Sequence, residues 1–199
     1  MATTKDIKLD RREVVAQILK ARGDALVVTG LGSTCWDAAA VGDTPRNFYV
    51  WGAMGGAAMI GLGLALAQTK RRVLVLTGDG EMLMGLGGLA TIVVQRPSNL
   101  SVVVIDNERY GETGMQSTHT RFGIDLAGIA RAAGFAHSTC VYAEDELKAL
   151  IPTLYNNSGP IFAVVKVMAR SYPTVLPARD GTYLKNRFRA AVLENKATN

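Results

Sequence analysis

The sequence predicts an α/β fold: a single doubly wound domain with a mainly parallel sheet and helices on both faces. Short apolar runs alternate with helical segments along the chain, which is the pattern of a parallel sheet built from strand–helix units. Residues 101–106 are almost continuously β-branched, as is typical of a parallel strand covered on both faces. Polar motifs follow two of the apolar runs, where open α/β sheets bind their ligands.

The elements follow from local signals. Asp10 and Glu13 fit a capping box that begins the first helix, and Gly23 fits its stop. Pro97 ends the fourth helix, and residues 108–122, rich in Gly and Thr, predict a long loop. The predicted strands are residues 25–29, 47–50, 73–77, 101–106, 138–142 and 161–167. The predicted helices are residues 10–21, 35–41, 54–68, 84–95, 125–133, 143–150 and 182–194.

The helix predicted at residues 54–68 is apolar on every side. Residues 53–67 supply 15 apolar residues before Lys70, Arg71 and Arg72 intervene. A membrane-spanning helix needs about 20 such residues. We therefore expect a helix buried against several neighbours, and no membrane as a partner.

Composition predicts one domain over residues 1–199 in the cytoplasm. The chain is 48% hydrophobic and only 20% charged, which indicates a well-buried core and excludes a disordered chain. Cys35 and Cys140 give no disulfide framework or zinc spacing, so two reduced thiols are expected. The N-terminal residues 1–8 are polar and lack the apolar stretch of a signal peptide.

The net charge of +5 is concentrated at the C-terminus, where a basic tail begins near residue 170. From Lys166 onward seven basic residues stand against Asp180 and Glu194, so residues 1–165 are neutral overall. No nucleic-acid reading motif accompanies this tail, and nucleic acid is rejected as the main partner. Ordinary solvated surface or a subunit contact is the favoured interpretation.

Two motifs suggest a metal-bound diphosphate. Gly78-Asp79-Gly80 ends one apolar run and Asp106-Asn107 ends the next, with 27 residues between Asp79 and Asn107. If these runs are neighbouring parallel strands, both side chains emerge at one edge of the sheet. A carboxylate, an amide and a nearby backbone carbonyl form an oxygen set suited to Mg²⁺. A bare Gly-Asp-Gly marks a simple turn about as often as it marks a ligand site, so a simple turn remains an alternative.

With a strand before it, a helix after it and Asp106-Asn107 closing the next strand, this segment resembles the cofactor signature of thiamine diphosphate (ThDP) enzymes. The resemblance implies that Asp79, Asn107 and the carbonyl of Arg109 bind Mg²⁺. The same resemblance implies a further set of cofactor-binding residues. They are Gly78, the amides of Gly80 and Glu81, Tyr110 and Gly111. Many relatives carry Ser where this chain has Glu81, whose acidic side chain is expected to point away from phosphate.

Two further segments resemble the family. Met54, 25 residues before Asp79, matches the apolar residue that wedges between the two cofactor rings, and the Gly52 carbonyl would accept a hydrogen bond from the aminopyrimidine. Ser33 and Thr34 match small hydroxyl residues near the diphosphate. Met54 as simple core, and Ser33 and Thr34 as an ordinary helix cap, remain alternatives.

Within the family, residues 26–167 are most similar to the small β subunits of sulfopyruvate and phosphonopyruvate decarboxylases, while the tail matches poorly. The resemblance implies decarboxylation of a small 2-oxo acid. It also implies a pyrimidine-binding α subunit in αβ pairs, because the glutamate that activates the pyrimidine belongs to a domain this chain lacks. Gln116 and His119, with Arg121 nearby, are the candidate catalytic or substrate contacts beside Met54. A purely structural His119 is an equal alternative.

Four other functions are alternatives to this one. Another ThDP-dependent lyase or synthase subunit stays open, as does a non-catalytic ThDP-binding module. Oxo-acid:ferredoxin oxidoreductase subunits are disfavoured because the chain lacks cysteines for a cluster. A dinucleotide-binding domain built on Gly30 and Gly32 is weak, since the third glycine of its fingerprint is replaced by Cys35.

Overall fold

The computed structural model of the chain describes residues 7–193. Its strands are β1 (Leu26–Thr29), β2 (Asn47–Tyr49), β3 (Val73–Gly78), β4 (Leu100–Asp106), β5 (Arg109–Tyr110), β6 (Gln116–Ser117), β7 (His137–Val141) and β8 (Ile161–Lys166). Six of them form one sheet, entirely parallel, in the order β2-β1-β3-β4-β8-β7. The short strands β5 and β6 form a separate antiparallel pair. The predicted fold class is confirmed.

Helices cover both faces of this sheet. They are α1 (Arg11–Lys20), α2 (Ser33–Val41), α3 (Ala57–Ala67), α4 (Asp79–Met84), α5 (Gly88–Gln95), α6 (Leu126–Ala133), α7 (Glu144–Asn156) and α8 (Gly181–Leu193). Apolar residues of α1, α2 and α7 pack on one face, and those of α3, α5 and α6 on the other. Helix α8 closes the edge beside β2, where Phe188 packs against Phe48 with ring centroids 5.3 Å apart.

The central strands explain why the sheet is so regular. Every residue of β4 and β8 is buried, and alternate side chains enter the two helical layers. From β1 the chain crosses to β2 on one side, whereas β3 lies on the other side of β1 and continues to β4. The direction of winding therefore reverses between β1 and β3, and a crevice forms at such a reversal.

Two predicted helix boundaries are wrong, both for reasons that involve glycine. The helix predicted at residues 54–68 begins only at Ala57, since Gly55 has a φ of +88° that a right-handed helix excludes. The helix predicted at residues 84–95 begins only at Gly88, as α5, and a separate helix, α4, ends at Met84 and is joined to it through residues 85–87. A Cβ on Gly85 would lie 2.3 Å from the Gly55 carbonyl oxygen, so the joint is packed directly against the turn before α3.

Other elements differ in detail. Helix α7 continues through Pro152 to Asn156, six residues past the predicted end. The predicted loop at residues 108–122 holds the β5–β6 pair and two 3-10 turns, Gly111–Thr113 and His119–Phe122. The last predicted helix matches α8, although its predicted end at Glu194 lies outside the described residues. Within residues 7–193, no helix has both the length and the apolar character needed to cross a bilayer.

Candidate functional site

A cavity of about 320 Å³ opens at the carboxyl edge of the sheet, beside the ends of β1, β3 and β4. This is the side of the sheet and the winding reversal at which α/β folds bind ligands. Four segments meet there: the loop after β1, the turn before α3, the start of α4, and the chain after β4. The lining residues are Leu31, Ser33, Met54, Gly78, Asp79, Gly80, Glu81, Met84, Ile105, Asn107, Arg109, Tyr110, Gly111, Glu112 and Thr113.

The three residues predicted to bind a metal all line this cavity. Asp79 is the first residue of α4 and is 2% exposed, while Asn107 directly follows β4 and is 8% exposed. Adjacent parallel pairing of β3 and β4 brings them together, as the spacing predicted. Asn107 Oδ1 accepts a hydrogen bond from the Arg109 amide at 3.0 Å, which fixes the turn between Asn107 and the Arg109 carbonyl.

The donor chemistry of this turn fits a hard cation. A carboxylate, a side-chain amide and a backbone carbonyl are oxygen ligands of the kind Mg²⁺ takes. Among the described residues there is no cluster of three His, Cys, Asp or Glu side chains that could hold a metal. A cation at this edge would therefore depend on the amide and carbonyl oxygens as well as on Asp79.

Two threonines from the long loop hold the Asp79 carboxylate. Thr118 Oγ1 donates to Asp79 Oδ2 at 2.5 Å. Thr120 Oγ1 lies 3.2 Å from the same oxygen and 2.9 Å from Asp106 Oδ1. Both threonines are buried, so Asp79 and Asp106 are linked through hydroxyls shielded from water.

The charge at this edge is balanced by one lysine. Burial, followed by the charge of Asp106, raises the pKa of Asp79 to about 7. Lys166 Nζ lies 2.9 Å from Asp106 Oδ2 and 2.7 Å from Glu108 Oε1. Burial lowers the pKa of Lys166, but the two carboxylates outweigh it and the net shift is upward.

Close packing shapes the cavity wall at Gly80 and Tyr110. A Cβ on Gly80 would lie 2.4 Å from Cε1 of Tyr110, so the tyrosine ring rests on the backbone of α4. Met54, which is 36% exposed, and Met84, which is 64% exposed, give the cavity an apolar side. Ser33 lines the cavity at the start of α2.

Four predicted residues do not line the cavity. Gly52 is exposed two residues before Met54, and Thr34 is buried with its hydroxyl donating to the Gly30 carbonyl at 3.1 Å. Gln116 is exposed and is bonded to Thr113 within its own loop, at 2.7 and 2.9 Å.

His119 is the fourth of these residues and begins the second 3-10 turn, where it is exposed. Nearby, Arg121 pairs with Glu108 at 3.4 Å and faces a separate cavity of about 260 Å³.

Glu81 keeps its carboxylate inside the protein. The residue is 4% exposed and accepts hydrogen bonds from Thr77 Oγ1 at 2.8 Å and from the Ala57 amide at 3.3 Å. Burial raises the pKa of Glu81, whereas Thr77 and backbone amides stabilise its charged form. An acidic side chain bonded in this way to protein donors is compatible with a phosphate at the neighbouring amides.

Four residues that contact Asp79 or Asp106, directly or through Lys166, were not predicted from the sequence: Glu108, Thr118, Thr120 and Lys166. Lys166 could have been found, because it ends β8 in register with Asp106 at the same edge of the sheet. Thr118 and Thr120 gave no such signal, since only the three-dimensional path of the loop returns them to β3. Glu108 is also in this group, and its φ of +60° is rare for a residue with a side chain.

Known proteins are similar to this chain in sequence and fold. A family model described as the C-terminal TPP binding domain of thiamine pyrophosphate enzymes matches residues 30–165. Sulfopyruvate decarboxylase subunit beta of Methanothermobacter thermautotrophicus is 42% identical over 159 residues, which are 80% of this chain and 82% of the relative. The protein of the same name from Methanococcus maripaludis is 32% identical over 188 residues, 94% of this chain and 99% of the relative.

Most of the chain also aligns with part of longer proteins. Phosphonopyruvate decarboxylase of Streptomyces viridochromogenes is 36% identical over 174 residues, covering 85% of this chain but 42% of the relative. A putative thiamin diphosphate-dependent enzyme from Mycobacterium smegmatis superposes with a TM-score of 0.69 at 24% identity, covering 81% of this chain and 32% of the other. Benzoylformate decarboxylase from Polynucleobacter necessarius gives 0.69 at 22% identity, covering 86% and 36%. The chain thus spans about a third of these two solved structures, and the likeness to them is one of fold.

Proposed function

This chain belongs to the thiamine pyrophosphate enzymes, and from that membership we propose that it is the cofactor-binding subunit of a ThDP-dependent 2-oxo acid decarboxylase. The observation that carries the proposal is the placement of Asp79 and Asn107 just after two neighbouring strands, in the lining of a cavity within the matched residues. Relatives named as sulfopyruvate and phosphonopyruvate decarboxylases support the reaction class. We infer that residues 1–199 form one domain.

The proposed metal is Mg²⁺, bound by Asp79, Asn107 and the carbonyl of Arg109. Burial and the charge of Asp106 raise the pKa of Asp79, and a bound cation would offset both by favouring the ionised carboxylate. The cofactor diphosphate would meet this metal and the surrounding backbone. The residues proposed to contact it are Ser33, Gly78, Gly80, Glu81, Tyr110 and Gly111. Met54 would pack against the cofactor rings, with Gly52 nearby.

The chemistry divides between the cofactor and the chain. When bound, the cofactor supplies the electron sink that loss of CO₂ requires. The chain's residues position it: Thr118 and Thr120 orient the Asp79 carboxylate, and Met54 and Met84 give one side of the cavity an apolar wall. Gln116, His119 and Thr34 remain predicted contacts, and the first two lie on the loop that also carries the threonines.

We propose that the partner is a pyrimidine-binding α subunit, since relatives are named as subunit beta. An exposed apolar surface on α3, α4 and α5 supports a partner at this cavity. We call it the α3–α5 surface, and its large exposed residues are Met59, Leu66, Met84 and Val94. Met84 belongs to both the surface and the cavity, so a subunit docked there would complete the cleft.

Co-expression with candidate α subunits tests the reaction. The purified pair would be supplied with ThDP and Mg²⁺ and assayed for CO₂ release from sulfopyruvate, phosphonopyruvate and pyruvate. We expect release from at least one acid, dependent on both ThDP and Mg²⁺. Absence of CO₂ from all three acids despite bound cofactor would refute the decarboxylase proposal. If the fragment left after loss of CO₂ is joined to a second carbonyl compound instead of being released as an aldehyde, the enzyme is a synthase.

Asp79→Ala tests the metal and cofactor site. We expect ThDP affinity to fall by more than about 100-fold, because even residues that only support a metal ligand typically contribute 10–100-fold. Circular dichroism should show an intact fold. Asp145→Ala, which removes an exposed carboxylate from the first turn of α7, is the control and should bind ThDP normally. Unchanged ThDP content in Asp79→Ala would contradict the assignment.

A further inference from the structure

The carboxylate of Glu81 joins three segments that are far apart in sequence. Its donors are Thr77 Oγ1 at the end of β3 and the Ala57 amide at the start of α3, at 2.8 and 3.3 Å. The amides of Gly55 and Leu31 also donate to it. Glu81 itself lies in α4, two residues after Asp79.

Each segment carries a residue of the cavity. The loop with Leu31 leads to Ser33, the turn with Gly55 follows Met54, and the helix with Glu81 begins at Asp79. Glu81 itself also lines the cavity, and the residue is almost completely shielded from water. Its bonds therefore set the distances between the walls of the cavity.

Gly30 makes room for this carboxylate. A Cβ on Gly30 would lie 1.5 Å from Glu81 Oε2, closer than any non-bonded contact allows. The backbone of Gly30 is not in the left-handed region, so conformation alone does not demand glycine there. The Gly30 amide is also fixed by a 2.7 Å bond to the Leu76 carbonyl of β3, so the backbone cannot easily retreat. Gly30 and Glu81 thus fit each other as a pair.

Burying a carboxylate is costly, and a small neutral residue at position 81 would avoid the cost. The hydrogen bonds from three segments offset it, and they do so only while those segments keep their present positions. We propose that Glu81 is a positioning residue that holds the loop after β1, the turn before α3 and the start of α4 in the geometry required for ThDP. This inference rests on the proposed function, because it assigns Glu81 a role toward that cofactor.

A double-mutant cycle tests the pair in the full chain with its partner subunit. The variants are Gly30→Ala, Glu81→Ser and the combination of both. Calorimetry in the presence of Mg²⁺ measures the affinity of each variant for ThDP, at a temperature below the Tm of that variant. We expect each single change to weaken ThDP binding by about tenfold, as for other residues that support a binding site. The double variant should bind like Glu81→Ser alone, since the alanine methyl clashes only with the carboxylate that serine removes.

Further measurements separate positioning from mere stability. Glu81→Gln keeps one acceptor oxygen and should give a smaller loss of affinity than Glu81→Ser, so the inference remains testable if Gly30→Ala fails to fold. Hydrogen exchange at the amides of Leu31, Gly55 and Ala57 should quicken in Glu81→Ser. Gly181→Ala, where a Cβ meets nothing within 4 Å, is the matched control.

The outcomes distinguish the two proposals. Wild-type affinity in the Glu81 variants, or losses that simply add in the double variant, would overturn the positioning role while leaving the proposed function intact. A lowered Tm with unchanged affinity would overturn it too. Failure of the wild-type complex to bind ThDP would refute the proposed function itself.

Discussion

Lys166 is the counter-charge for the carboxylates behind the candidate metal site. It contacts Asp106 and Glu108, and Asp106 is linked through Thr120 to Asp79. Without the ammonium group, two carboxylates would face each other in a place with little water. Lys166 therefore permits three acidic residues to lie close together at one edge of the sheet.

Lys166→Met should destabilise the fold by about 3–5 kcal/mol, the usual effect of removing one partner from a buried ion pair. Lys148→Met is the matched control, because Lys148 pairs with Glu144 at 3.6 Å on the exposed side of α7. It should cost no more than about 0.5 kcal/mol. Urea unfolding measures both. Equal effects of the two substitutions would show that the buried pair has no special role.

The pH range of this comparison follows from the sign of the shift. The pKa of Lys166 is raised in the folded chain, so its contribution is fully present below the unfolded pKa of about 10.5 and is lost as pH rises through the folded value. The difference between Lys166→Met and wild type should therefore be largest at neutral pH and shrink only above about pH 10.5.

At the scale of elements, the turn before α3 and the joint between α4 and α5 depend on each other. The Gly55 carbonyl oxygen occupies the space where a side chain on Gly85 would begin, and a Cβ on Gly55 would meet the Gly85 amide at 3.1 Å. The backbones of the two segments are thus in direct contact. Because Met54 and Met84 flank this contact, it also sets the apolar side of the cavity.

Gly85→Ala should cost about 1–3 kcal/mol, since a new methyl group in a fully packed place forces a backbone shift. Gly87→Ala, two residues later, meets nothing within 4 Å at a φ of −60° and should leave stability unchanged or raise it by up to about 1 kcal/mol. Thermal unfolding of the two variants provides the comparison. A stable Gly85→Ala variant would mean that the joint can relax.

The same joint shows what the sequence could and could not predict. Apolar runs predicted the bounds of the six parallel strands to within a residue or two, because strands buried on both faces consist almost entirely of apolar residues. The joint at Gly85 was missed, since a glycine inside an apolar segment fits either a helix or a break. Contact with Gly55, thirty residues earlier, decides between the two.

Some residues of the candidate site could likewise be predicted from the sequence and others could not. Asp79 and Asn107 were predictable, because each follows a strand and the two strands are neighbours. Thr118 and Thr120 were not, since their role arises from the return of the loop to β3. The position of Glu81 was expected to be unfavourable for an acid, and its donors from three segments can be seen only in the folded chain.

At the scale of the whole molecule, the helices on one face of the sheet leave several large apolar side chains exposed to solvent. Met59 and Leu66 of α3, Met84, and Val94 of α5 keep between 39% and 76% of their surface exposed. The two helices pack together, because a Cβ on Gly88 would lie 3.0 Å from the sulfur of Met59. Such an apolar surface beside an open cavity is typical of a subunit contact.

Val94→Lys should weaken association with the α subunit at least tenfold, since it places a charge where apolar contact is expected. The fold should be unaffected, because Val94 is 76% exposed. Val41→Lys, at the end of α2 on the opposite face, is the control and should associate normally. Co-purification followed by size-exclusion chromatography measures both. Undiminished association of Val94→Lys would place the partner elsewhere.

The threonine bonds to Asp79 have one more consequence. They fasten the far end of the segment that starts at Asn107, so residues 108–117 form a closed loop whose two ends are both held at the sheet. Such a loop loses its conformational entropy during folding rather than when a ligand arrives. A ligand that binds at this edge should consequently cause little further ordering of the backbone. Little of the favourable binding free energy would then be lost to ordering the loop.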